Sequence, residues 1–132
     1  MRLLGISCLT VGLCLVVLGC GSRGGDGNSP SPGSAFAERF DSAAAIGSED
    51  ERENAFAQLA TDAAKAGDVD ASRKAIQRIQ KDSLRDTTAY KSALALSKAG
   101  QKRGAFGFVK FIKDNALQQK ASTKLAKGDF SE

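Results

Sequence analysis

The sequence predicts an all-α protein: a short stack of antiparallel helical hairpins, about six helices in all, preceded by an apolar segment and a Gly/Ser/Pro-rich linker. Three observations predict it. From Ser34 onward there is no proline, and Ala, Leu, Lys, Arg, Glu, Asp and Gln dominate, residues that lose little freedom in a helix. The same stretch is self-similar at an offset of 33 residues: Gly67 maps to Gly100, Ala60 to Ala93, Ile76 to Val109 and Ile79 to Ile112. A fixed period of this length marks stacked helical hairpins. Glycines at 47, 67, 100 and 128 follow runs of helical pattern, where a left-handed residue ends a helix most readily.

In chain order, Met1-Arg2 leads into Leu3 to Leu18, sixteen residues without a charge. At about 1.5 Å each they span roughly 24 Å of helix, short of the ~30 Å hydrocarbon core, which fits a secretory signal better than a membrane span. The run ends in Val17-Leu18-Gly19-Cys20. This motif resembles the lipobox of bacterial lipoproteins, small and apolar residues closing on an obligatory cysteine. The resemblance implies that residues 1–19 are a lipoprotein signal peptide and that the Cys20 thiol is the lipidation site. Cleavage then leaves Cys20 as the mature N-terminus, anchored in a membrane of the bacterial cell envelope on its periplasmic or cell-surface face. Two or three palmitate-type chains, at about 0.8 kcal/mol per buried methylene, hold a protein there essentially permanently.

Gly21 to Gly33 contains no large apolar residue. It cannot bury enough surface to repay ordering, so residues 20–33 are expected to be a flexible tether, and residues 34–132 the helical-repeat domain. The first helix is expected over about 35–46, capped by Ser34 and stopped by Gly47. A second opens at Ser48, with Glu51 in the capping-box position, and ends before Gly67. Asp68 or Asp70 opens a third, carrying Val69, Ala75, Ile76 and Ile79 inward. Ser83 with Asp86 resembles a capping start for a fourth, which ends near Gly100. The fifth presents Ala105, Phe108, Val109 and Ile112 at helical spacing, and the sixth runs over about 115–127 to Gly128.

Phe56, Leu59, Ala60, Ala63, Gly67, Asp68, Ser72, Ile76 and Ile79 in one unit, and Ala89, Ser92, Ala93, Leu96, Gly100, Ala105, Val109 and Ile112 in the next, follow one pattern. It resembles the tetratricopeptide repeat, in which small residues let the two helices of a hairpin approach and large neighbours fill the grooves. Ser92 in place of Leu, the period of 33 and the missing closing proline depart from that family and leave related helix-hairpin repeats open. The resemblance implies a protein- or peptide-binding module.

Composition narrows the chemistry. There is no His in the chain, so the commonest general base and metal ligand is missing. Cys8 and Cys14 lie inside the predicted signal, which leaves Cys20 alone and rules out an internal disulfide, a zinc-thiolate site and a Cys/His pair. Glu49, Asp50, Glu51 and Glu53 cluster in a helix first turn, where acids serve the dipole and caps. No enzyme activity, metal or cofactor is expected. Charge is uneven: residues 21–70 carry ten acidic against four basic side chains, and residues 71–132 carry fourteen basic against five acidic. The basic half includes a candidate cluster of Lys98, Lys102, Arg103, Lys110 and Lys113. Phe106 and Phe111 fall off the inward stripe of the fifth helix and are candidate partner contacts. Tyr90 either reaches a ligand in the groove or turns inward. The expected function is a lipid-anchored interaction module with a protein or peptide partner. The alternative is a structural or surface-association lipoprotein whose basic half contacts anionic lipid or cell-wall polymer. Nucleic acid is not an expected partner of an exported chain.

Cys20→Ser is expected to abolish labelling by alkyne-tagged palmitate and to leave residues 1–19 attached. A gel shift of the unprocessed chain checks both.

Overall fold

A computed structural model describes residues 32–130 of the chain; the predicted signal peptide, Cys20 and nearly all of the tether lie outside the described residues. Six α-helices follow one another: α1 (Pro32–Ala44), α2 (Glu49–Lys65), α3 (Val69–Ile76), α4 (Asp82–Lys98), α5 (Lys102–Val109) and α6 (Asn115–Lys127). Among the described residues there is no strand. The period read in the sequence is kept to the residue, since α2, α4 and α6 begin at 49, 82 and 115, and α3 and α5 at 69 and 102.

The ends of the helices follow from local chemistry. Gly67 and Gly100 adopt φ of 78° and 85°. In the first, the Asp68 N–H reaches the Ala63 carbonyl at 2.9 Å and the Gly67 N–H the Ala64 carbonyl at 3.1 Å. In the second, Gln101 N–H donates to Leu96 at 2.8 Å and Gly100 N–H to Ser97 at 3.0 Å. These paired bonds satisfy the last carbonyls of α2 and α4 and turn the chain back on itself. Asp68 caps α3 by accepting from the Ala71 N–H at 2.9 Å. Asp114 does the same for α6 through the Leu117 N–H at 2.7 Å.

Two expected starts are displaced and one expected cap is not formed. The first helix begins at Pro32 rather than after Ser34, because a proline suits the first helical position, where its missing N–H is not needed. Ser48 is the N-cap of α2 but its hydroxyl makes no cap bond, so the capping box with Glu51 is not formed. Helix α4 starts at Asp82 after Lys81, which places Ser83 inside the helix.

Helices α2, α4 and α6 touch in succession and form one row; α1, α3 and α5 touch in succession and form the second. The hairpins α2/α3 and α4/α5 join the rows, and α6 closes against α4 and α5. The Ser72 hydroxyl, fully buried on α3, donates to the Ala60 carbonyl of α2 at 2.8 Å, which pins the antiparallel pairing. Between the rows lies one core: Phe56, Leu59, Ala60, Ile76, Ile79, Ala93, Leu96, Ala105, Phe108, Ile112, Ala121 and Leu125. Alanine at the closest crossings lets the backbones approach, and the large residues fill the space beside them.

The two glycines inside α5 differ in their reasons. A Cβ on Gly104 would lie 2.7 Å from Cγ2 of Val69 on α3, whereas one on Gly107 would meet nothing within 4 Å. Val69 is β-branched and cannot swing aside easily, so Gly104 is what lets α5 sit on α3. Gly104→Ala is therefore expected to destabilise the fold by about 1 kcal/mol, overpacking outweighing the gain in helix propensity. Adding Val69→Ala should return part of that loss, and Gly107→Ala should stabilise by up to about 1 kcal/mol. Urea denaturation of the three variants measures all of this.

Candidate functional site

Two acids within the apolar faces of α2 and α4 hold the units together. Glu53 is 2 % exposed and Asp86 5 %. Oε1 of Glu53 accepts from the N–H of Gln80 at 2.7 Å and of Lys81 at 3.2 Å. Oδ1 of Asp86 accepts from the N–H of Lys113 at 3.0 Å, and its Oδ2 from that of Asp114 at 2.8 Å. Each carboxylate thus reaches across its hairpin and binds the backbone that opens the next unit's long helix, α4 in one case and α6 in the other. Reading Glu53 as a first-turn cap of its own helix, and Asp86 as a cap of α4, is corrected by this geometry. The signal for it was in the repeat, since Glu53 and Asp86 are 33 residues apart on the buried face, where an unpaired acid is rare.

Ion pairs outside the carboxylates repeat the same link. Lys81 pairs with Asp50, and Lys113 with Asp82 at 3.0 Å, each joining a long helix to the loop at the far end of its hairpin. Asp82 also takes Arg85. The Lys113 ammonium hydrogen-bonded to Asp82, assisted by Arg85, holds that carboxyl below its ordinary value. Lys81 is raised above its ordinary value, first by its hydrogen bond to Asp50.

These pairings split the candidate basic cluster. Lys98, Lys102 and Arg103 stand around the α4–α5 turn, while Lys110 and Lys113 lie at the other end of α5, about 12 Å away along the helix axis. Lys113 is engaged by Asp82. The other four are exposed and make no ion pair among the described residues. Lys102, Phe106 and Lys110 recur every four residues and so share one face of α5. Phe106, 47 % exposed, is the one large apolar side chain that stands open among the described residues. Helix α1 and the cap helix leave it open: α1 touches only α2 and α3, and α6, although it packs on α4 and α5, does not bury the ring.

Phe111 is different. It lies just past α5, half-buried, with its ring edge-on to Phe108 at 5.9 Å between centroids. Tyr90 is 8 % exposed and belongs to the core, its ring carrying the Lys120 ammonium at 5.5 Å. Its hydroxyl is buried without a hydrogen-bond partner. Of the candidate contacts, then, Phe106 with Lys102, Arg103 and Lys110 forms one surface, and Tyr90 is inward.

Among the described residues no group of acids, histidines or cysteines could hold a metal ion, and no helix is long and apolar enough to cross a membrane. Comparison with protein-family models, with curated proteins and with solved structures gives no match.

The carboxylate links have a measurable weight. A hydrogen bond to a charged group contributes about 1.5–3 kcal/mol, so Asp86→Ala is expected to cost about 2–4 kcal/mol and Asp86→Asn roughly half as much. Glu51→Ala, exposed in the first turn of α2, should cost less than about 1 kcal/mol. Equal losses at Glu51 and Asp86 in urea denaturation would contradict the assignment.

Proposed function

We propose that this chain is a lipid-anchored protein of the bacterial cell envelope whose small, tetratricopeptide-like helical domain is an interaction module and not an enzyme. The lipobox-like Val17–Cys20 and the glycine-rich tether support the anchoring. The 33-residue period and the two rows of helices support the module, since such arrays present continuous faces to partners.

One observation carries the choice of surface. Phe106 stands open on α5 with Lys102 and Lys110 four residues to either side and Arg103 one turn before it. An exposed aromatic anchor ringed by cations suits an acidic protein segment: the ring supplies apolar contact at low entropic cost, and the cations steer and orient the acid. The same stripe also has the composition of a face that lies on anionic lipid, which is the second reading.

A photo-crosslinking residue at position 106 of the full-length chain, activated in intact envelopes, separates the two. The expected product is a single protein adduct, abolished by Lys102→Glu together with Lys110→Glu and crosslinked through an acidic segment. Adducts to lipid or wall polymer alone would overturn the module and leave charge-driven surface association.

A further inference from the structure

Each short helix offers one face to the helix after it in the row and another to the helix before it. At the α3–α5 seam Val69 of α3 lies against the backbone of Gly104 on α5. At the α1–α3 seam Phe36 and Phe40 of α1 share a groove with Ala71, Lys74 and Arg78 of α3. Counted by 33, Phe36, Val69 and Lys102 hold one register, and Phe40, Arg73 and Phe106 the next. Lys102 and Phe106 therefore mark the face of α5 that a further short helix would cover. The complementary register, Ala71 and Gly104, falls on Glu38 of α1, and that of Lys74 and Arg78 on Asp41 and Ala45. Both faces stand open. Phe106 is 47 % exposed; Lys102, Lys110, Glu38, Asp41 and Ala45 are exposed too, and the four charges form no ion pair among the described residues. Helix α6 is open at the matching place. Its Ala126 is exposed, whereas Ala60 and Ala93 at the same register are fully buried, Ala60 beneath the Ser72 hydroxyl of its short helix.

The two open faces are opposite in charge: α5 presents Lys102 and Lys110 around Phe106, and α1 presents Glu38 and Asp41. We propose that the acidic partner of the Phe106 face is a second copy of this chain, whose α1 packs on α5 and α6 as the next short helix of the row. Set on α5 as α5 is set on α3, that α1 brings Glu38 to Lys102, in the way Gly104 is brought to Val69. Asp41 then stands beside Phe106 and Lys110. Two ion pairs at this seam take the place of the close backbone approach at the seam before it, and opposite charges fix the order of the copies. The contact joins two different faces at opposite ends of the row. It is therefore heterologous, and it gives head-to-tail strings of copies and not closed pairs. This inference rests on the interaction-module reading and names its partner.

The test uses the full-length chain with a photo-crosslinking residue at position 106, as a mixture of ¹⁴N and ¹⁵N copies in vesicles of zwitterionic lipid. The expected adduct joins position 106 of one copy to residues 37–45 of another, identified by mass spectrometry of the mixed-isotope peptide pair. Lys102→Glu with Lys110→Glu should cut that adduct about tenfold or more, and so should Glu38→Lys with Asp41→Lys. All four side chains are exposed, so the helical circular dichroism of both variants should be unchanged. An equimolar mixture of the two variants should restore the adduct, because each reversed face then meets its complement. Absence of the adduct, an adduct to any other part of the chain, or a mixture that stays uncrosslinked overturns the self-association. The interaction-module reading fails separately. In intact envelopes, an adduct of the same probe to an acidic segment of a different protein would leave that reading standing and overturn the second copy. Adducts to lipid or wall polymer alone would remove both.

Discussion

A carboxylate buried on one long helix and bonded to the backbone that begins the next is the constraint on which the stack depends. Hairpins in such an array share a hydrophobic interface that is tolerant of sliding, because alanines and leucines offer no directional contact. Glu53 and Asp86 add direction: a charged oxygen accepts only from N–H groups set at the right distance and angle. The donors they take are those at the start of α4 and α6, which no earlier turn of helix can satisfy. Helix α4 shows the need most plainly, since its N-cap is Lys81, whose side chain makes no cap bond. The carboxylate of the preceding long helix takes the N–H of that N-cap and of the residue before it, and so fixes where α4 begins.

Around that link the packing is simple. The small residues at the crossings, Ala60, Ala93 and Ala105, are fully buried, and Gly104 carries the same logic to its limit against Val69. Close approach multiplies weak dispersion contacts and excludes water from the seam. The two eight-residue helices, α3 and α5, are too short to be stable in isolation and owe their form to the long helices they cover.

The two units share a backbone plan and diverge in their surfaces. The outer face of α5 is basic and aromatic, with Phe106 open to solvent. The first unit instead keeps mixed charges, Glu49, Arg52 and Arg78, around a cavity at the end of α1. A repeated scaffold leaves both possibilities available, because positions away from the seam are free of packing demands. Recognition then follows from which side chains occupy those positions, not from the fold.

Much of the architecture was legible in the sequence. Helix propensity, the period of 33 and the glycines at 67, 100 and 128 are local properties of the chain, and each survives in the structure because a left-handed turn or an apolar stripe has the same requirement in any context. The open position of Phe106 was legible for the same reason, being set by helical phase. Side-chain pairing was not. By sequence alone Glu53 and Asp86 read as caps of their own helices, Lys113 as a member of a basic cluster, Phe111 as a partner contact, and Tyr90 fits either groove or core. The partners of Glu53, Asp86 and Lys113 lie 27 to 31 residues away, and Tyr90 meets Lys120 of another helix. Periodicity determines which face of a helix a residue occupies; only the folded stack decides what stands opposite that face, and hence whether a charge is solvated, paired or buried.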